Sequence, residues 1–351
     1  MKILESNSLQ ELKEIVANYN EPTFRATQIY EGIIQGKNLS QITNIPKSLK
    51  EKLEQDFVSQ PFEIHTVKKS QKDETQKFLY KLYDGNLIEG VLMKYEYGYT
   101  LCVSTQVGCR MGCKFCASGL NGLVRNLEAG EILLQVLTIN AYLGGTKKNR
   151  KITNIVLMGS GEPFDNYDNV IKFLRLVSAP EGINISCRNI SLSTCGLVDK
   201  MNKFADENLP ITLTISLHAS NDEQRKLTMP IANAYSIKEI VKSAKNYFNK
   251  TGRRIIFEYA LIKDINDSKK CAGELAEVLK GLTCHINVIP LNSVKERNLL
   301  STTRKYAYQF VGMLEEKGLS ATVRRTMGED IDGACGQLRN KTINSWHYYG
   351  R

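Results

Sequence analysis

The chain has 351 residues, 42% of them hydrophobic and 24% charged, and its 47 lysines and arginines exceed its 37 aspartates and glutamates for a formal charge of +10. That length suggests one large domain or a core with an appendage, with ample chain for a sizeable core, and a basic balance spread along the chain favours a polyanionic partner such as nucleic acid. The opening "MKILESNSLQELKEIV" lacks the apolar run of an export signal and no stretch approaches a membrane span, so nine cysteines imply a cytoplasmic chain in a reducing compartment, where clustered thiols more often hold metal or do chemistry than form structural disulfides.

In chain order, "LQELKEIVANYN", "RATQIYEGIIQG" and "PKSLKEKLEQDF" read as short helices, giving a helical N-terminal domain over residues 1–60. A strand-containing linker is expected over 61–94. It holds "FEIHTVKKS" and "QKFLYKLYDGNLIEGVLMKYE", with Asp84-Gly85-Asn86 as a hairpin signal. A core over 95–330 then alternates strand-like runs with amphipathic segments. The strand candidates are "TLCVSTQ" from 100, "ITNIVLM" from 152, "RNISLST" from 188, "ITLTISL" from 211, "RIIFEYALI" from 254 and "HINVIPL" from 285. Between them, Ile132, Val136, Ile139 and Leu143 recur at helical spacing, Ser236 and Glu239 make a capping-box pattern, and Gly252 fits the end of that helix. Six β-then-α units predict parallel strands, in an open doubly wound sheet or in a barrel or part of one. Residues 331–351 form a C-terminal segment.

The distinctive polar residues fall just beyond the predicted strand ends: a cysteine cluster after the first, "GSGEP" (159–163) after the second, Thr194-Cys195-Gly196 after the third, Ser216 and His218 at the fourth, and Asn292 after the sixth. Ligands and catalytic groups collect at the carboxyl ends of parallel strands, so these motifs are expected to face one cavity. Cys109, Cys113 and Cys116 give C-x3-C-x2-C, with Gly108 and Gly112 beside them. Thiolates are soft ligands for zinc or iron–sulfur clusters. A structural zinc site closes with four ligands and no second C-x2-C is present, whereas three ligands suit a four-iron cluster with one iron left open. Zinc and inert core thiols stand as the alternatives.

With the triplet in the first loop of a βα barrel, the chain resembles the radical S-adenosylmethionine (SAM) superfamily. More narrowly, "CVSTQVGCRMGCKFCASG", "GLVRNLEAGEI", "MGSGEPFDNYDNV", "SLSTCG", "ISLHAS", "MPIANAY", "FEYALIKDIND" and "TVRRTMGEDIDGACGQL" are similar to the bacterial adenine-C2 RNA methyltransferase family. The likeness runs from "RATQIY" to "GQLRNK"; Ser160 departs from the family's usual Met and "KDET" near 72 from its usual Gly. The resemblance implies an α/β fold, a partial (β/α)6 radical-SAM barrel. It implies methylation at C2 of adenosine 2503 in 23S rRNA and of adenosine 37 in tRNA.

The implied cofactors are one [4Fe-4S] cluster on Cys109, Cys113 and Cys116 and two SAM molecules per turnover, with a flavodoxin or ferredoxin as electron donor, a monomeric state and no membrane. In the implied sequence Cys335 takes a methyl from the first SAM, and the second yields a 5′-deoxyadenosyl radical that activates it for addition to adenine C2. Cys102 then attacks Cys335, forming a transient disulfide that releases the methylated base. Glu89 matches the family's proton acceptor. Gly161, Glu162, Ser193, Ser216, Leu217, His218 and Asn292 match its SAM contacts. Arg125, Arg324, Arg325 and Arg339 are expected near the rim for RNA backbone contact, in preference to the "KKNRK" run from 147 at the opposite end. Two rivals carry the same triplet: a C8-specific relative, disfavoured by Pro163 after Gly161-Glu162, and a non-catalytic iron–sulfur RNA-binding protein, which has no need of Cys102 or Cys335.

Overall fold

The computed structural model describes residues 2–59, 62–291, 298–331 and 336–349, the last six by backbone alone. Helices α1 (Leu9–Asn18), α2 (Phe24–Ile34) and α3 (Lys47–Asp56) form where the sequence places them. Ser8 and Glu11 cap α1 reciprocally, satisfying two of the amides that a helix start leaves open. Strand β1 (Lys2–Ile3) pairs in parallel with β2 (Phe57–Val58), which ties the two ends of this helical region together. Leu12, Val16, Ile29, Ile33, Leu49 and Leu53 are buried and belong to the same continuous hydrophobic cluster as the strands that follow.

Strands β3 (Phe62–Lys69), β4 (Gln76–Leu82), β5 (Leu87–Tyr95) and β6 (Gly98–Cys102) make an antiparallel meander, and the stretch from Gln76 is a hairpin turning at Asp84-Gly85-Asn86. A small antiparallel pair, β7 (Gln106–Gly108) and β8 (Leu123–Asn126), brackets the cysteine loop. Then α4 (Ala129–Tyr142) leads to β9 (Ile152–Leu157), α5 (Tyr167–Ser178) to β10 (Ile190–Thr194), and α6 (Val198–Ala205) to β11 (Thr212–Ser216). Helices α7 (Asp222–Thr228) and α8 (Ile237–Thr251) precede β12 (Ile255–Leu261), α9 (Lys269–Val278) precedes β13 (Cys284–Pro290), and α10 (Arg304–Glu315) precedes β14 (Ala321–Val323). Last comes α11 (Gln337–Tyr349). The capping box of Ser236 and Glu239 on α8 is made, and Gly252 ends that helix in the left-handed conformation.

One ten-stranded sheet results, in the order β14-β13-β12-β11-β10-β9-β6-β5-β4-β3. From β6 through β14 every pairing is parallel, so the six expected βα units are present with a short seventh strand, β14, added. The sheet is open, with edges at β14 and β3, and its architecture is the partial α/β barrel expected. Parallel strands point their carboxyl ends one way. Cys102 stands opposite Val156, Leu157 opposite Leu192, and Ser216 opposite Glu258, so the loops after these strands all emerge on one side.

Candidate functional site

The cysteine loop is pinched at its neck. Cys109 donates its amide to the Gly122 carbonyl at 2.9 Å. Gly108 lies at φ 81°, and a Cβ there would stand 2.1 Å from the same oxygen, so both the space and the backbone conformation require glycine. Farther round, Cys116 donates to the Cys113 carbonyl at 3.1 Å, and Lys114 donates to Thr228 of α7 at 2.8 Å. Burial pushes the Cys109 thiol up to about 12 and the Cys113 thiol higher still; Cys116 and Glu162 raise both further, and Cys109 adds to the rise at Cys113.

Three mutually repelling thiols in a half-buried loop need a cation to ionise together, and as thiolates they fit an iron–sulfur cluster by donor chemistry. Among the described residues no three His, Cys, Asp or Glu side chains are already drawn to metal-ligand geometry. The backbone gathers these donors without closing them on one point.

The loop after β9 is sewn to the segment after β6. Thr105 and Gln106 donate amides to the Ser160 carbonyl, Gly159 donates to Val103, and Gln106 Oε1 accepts from the Glu162 amide at 2.8 Å. Gly161, at φ 111°, would bring a Cβ to 2.7 Å from that of Gln106. The close approach its glycine permits is therefore to the chain's own strand as well as to any ligand. Ser160 is buried, with its hydroxyl 3.3 Å from that of Ser118 in the cysteine loop.

Glu162 is a brace as well as a candidate ligand. Its Oε1 accepts from Phe164 N–H at 3.1 Å, and its Oε2 accepts from Cys195 N–H at 2.8 Å, which joins the β9 and β10 loops. Burial raises its pKa against these bonds. Beside it the hydroxyls of Ser193 and Ser216 stand 3.5 Å apart. Leu217 donates its amide to the Glu258 carbonyl at 3.1 Å and its own carbonyl accepts from Arg225 Nε at 3.2 Å. His218 sits at φ 56°, a strained region for a residue with a Cβ. Its Nδ1 accepts from the Ala260 amide at 2.9 Å, its carbonyl accepts from Asn266, and its ring meets Phe115 of the cysteine loop edge-on at 4.7 Å. Burial, and next the nearby Arg225 charge, lower its pKa to about 3, so the imidazole is neutral with its proton on Nε2.

On the opposite flank, Lys77 stands across from Val91 and Val91 across from Cys102, while Glu89 lies two residues along the same strand as Val91. Alternation then puts Lys77, Glu89 and Cys102 on one face of the sheet. Cys102 is buried with Val91, Met93, Val156, Met158 and Met327 around it. Glu89 pairs with the buried Lys77 at 3.1 Å and accepts the amides of Gly336 at 2.7 Å and Arg339 at 2.5 Å. It therefore caps α11, a role that sequence reading missed. Asn340 extends the docking, donating to the Ala117 carbonyl at 2.8 Å, and Gly336 packs against Ala117 and Ser118.

Cys335 and Asn292 lie outside the described residues. The eight described cysteines, Cys102 included, form no disulfide with one another, and the expected Cys102–Cys335 pair falls on a residue outside the described ones. Three of the four arginines expected to meet RNA are engaged within the chain. Arg125 forks onto Glu131 at 2.8 Å and reaches Asp84, Arg324 pairs with Glu258 at 3.1 Å, and the buried Arg339 donates to the Leu87 carbonyl. Arg325 is exposed. No described helix is long and apolar enough to cross a membrane.

Residues 103–272 match the radical SAM superfamily, and residues 4–58 match a ribosomal RNA large subunit methyltransferase N-terminal domain. The chain is 52% identical over 346 residues to "Probable dual-specificity RNA methyltransferase RlmN" of Clostridium botulinum (strain Alaska E43 / Type E3), covering 98% of each. It is 51% identical over 347 residues to the protein of the same name from Clostridium perfringens (strain SM101 / Type A), covering 98% of this chain and 99% of that one. A crystal structure of a radical SAM methyltransferase from Sphaerobacter thermophilus superposes with a TM-score of 0.91 at 39% identity, over 96% of this chain and 99% of that one.

Proposed function

Since the chain belongs to the RlmN family of radical SAM RNA methyltransferases, we propose that it methylates C2 of adenosine 2503 in 23S rRNA and of adenosine 37 in tRNA, in the cytoplasm. The family uses a [4Fe-4S] cluster and SAM. Cys109, Cys113 and Cys116 would hold the cluster, while Gly161, Glu162, Ser193, Ser216, the Leu217 backbone, His218 and Asn292 would hold SAM. When bound, the pair supplies the radical chemistry that an aromatic C2 carbon, too poor a nucleophile to attack SAM itself, requires.

In this reading Cys335 accepts the methyl group and delivers its carbon to C2, and Cys102 resolves the adduct through a transient disulfide. Glu89 accepts a proton. A carboxylate offers about four lone-pair sites, so three donors leave room for one more. A flavodoxin or ferredoxin would supply the electron. One observation carries the reading: Gly336, next to Cys335, is bonded to Glu89 on the sheet face that holds Cys102, and it packs against the cysteine loop. Without such docking, the thiol-bearing segment has no reason to sit beside the cluster loop.

The two thiols are separable by experiment. Cys335→Ala has no sulfur to accept the methyl, so it forms no covalent RNA adduct. Cys102→Ala can still add to the base but lacks the thiolate that breaks the link. It accumulates on RNA as a nuclease-sensitive upward shift on a denaturing gel, and the double variant shows none. Normal turnover by Cys102→Ala, or an adduct on Cys335→Ala, refutes the assignment.

A further inference from the structure

Arg225 is one of the largest fully buried side chains, yet among the described residues no carboxylate bonds it. Its Nε donates to the Leu217 carbonyl at 3.2 Å, and its Nη2 donates to the carbonyls of Cys195 at 2.6 Å and Ser216 at 3.4 Å. Nη1 has no hydrogen-bond partner at all. A guanidinium held by neutral carbonyls, with one donor left over, is a buried charge with no bonded counter-charge; Asp222, on the same helix, acts on it only through space, its carboxylate accepting the Ile237 amide. Such a group is costly unless an anion completes it.

The anion's place follows from the helix that carries Arg225. Thr228, one turn on in α7, accepts the amide of Lys114, the residue after Cys113. Pro230 lies 3.5 Å from where a Cβ on Gly112 would be. Arg225 is thus fixed against the cysteine loop, and its charge is felt by Cys113 on that loop and by Cys195 and His218 beside it. A strap across three carbonyls does not need a permanent charge, because an uncharged donor bonds carbonyls as well.

We propose that Arg225 is the buried counter-charge of the thiolate-bound cluster and sets its reduction potential. The inference rests on the three-cysteine reading above. Three thiolates give the oxidised cluster a net negative charge, and one-electron reduction adds another. A cation fixed nearby in a medium of low dielectric favours the reduced form and raises the midpoint. Arg225 is a positioning residue in this account; it touches no substrate.

The test is a redox titration followed by electron paramagnetic resonance on reconstituted protein, with dithionite as reductant and no SAM present. It compares wild type, Arg225→Lys and Arg225→Gln. At the potential where the wild type is half-reduced, the ratio of reduced to oxidised cluster falls tenfold or more in Arg225→Gln, equal to about 59 mV for one electron. Arg225→Lys stays within about twofold of the wild type. Iron lost from Arg225→Gln alone, with the apo-protein's melting and circular dichroism unchanged, also supports the proposal.

An unchanged midpoint in Arg225→Gln overturns it, even if SAM binding weakens, because the charge would then serve the SAM carboxylate. Loss of the apo fold in Arg225→Gln marks a structural strap and overturns it too. Iron retained by Cys113→Ala would instead sink the three-cysteine reading while leaving the fold untouched.

Discussion

His218 gives the residue scale its clearest test. Three hydrogen bonds hold it in a backbone region that side chains avoid, and they leave Nδ1 as an acceptor. With its pKa lowered to about 3 in the folded chain, first by burial, the imidazole stays neutral in 15N spectra from pH 8 to pH 5. A titration near 6.5 would contradict the geometry. Because the folded value lies below the unfolded one, this group's stabilisation is complete above pH 6.5 and lost as pH falls towards 3. Gly108 makes a second test. Alanine there must hold φ 81° and push the Gly122 carbonyl aside, at a cost of roughly 1–3 kcal/mol. Iron content after anaerobic reconstitution should drop well below that of the wild type, and equal loading would show that the pinched neck does not shape the loop.

At the scale of elements, the junction of β4, β5 and α11 is the point of greatest consequence. Glu89→Gln removes the carboxylate charge that faces the buried Lys77, which costs about 3–5 kcal/mol, and it weakens the cap on α11. Denaturant unfolding reads the first effect, and faster amide exchange at Arg339 and Asn340 reads the second. The double variant Lys77→Met/Glu89→Gln should recover part of the stability but none of the protection. Unchanged exchange in Glu89→Gln would detach α11 from this carboxylate.

Glu89 also shows where sequence reading stops. Strands β6 and β9 to β13, the α8 capping box and the hairpin at Gly85 were legible, because period and turn chemistry are local. Glu89 with Gly336, and Glu162 with Cys195, join residues far apart in sequence, so no local pattern announces them. Strands β1, β2 and β14 are two or three residues long and exist only by pairing. The rim arginines meet the same limit. Charge is visible in a sequence, but the carboxylates that occupy Arg125 and Arg324 are visible only in the fold.

Across the whole molecule, a formal charge of +10 accompanies matches to both an RNA methyltransferase N-terminal domain and a radical SAM domain. RNA binding should therefore weaken steeply with salt, since phosphate contacts release counterions. Affinity that stays flat between about 50 and 200 mM salt would remove the electrostatic basis for RNA recognition. Under the proposed function an adenine must leave its stack to reach a site sewn together from several strand ends, so free adenosine should react far more slowly than the intact RNA. Anaerobically reconstituted protein, given SAM, a reductant and 23S rRNA lacking the modification, should yield 2-methyladenosine when the digested RNA is analysed by mass spectrometry against authentic standards; 8-methyladenosine, or no methylated adenosine at all, would contradict the account.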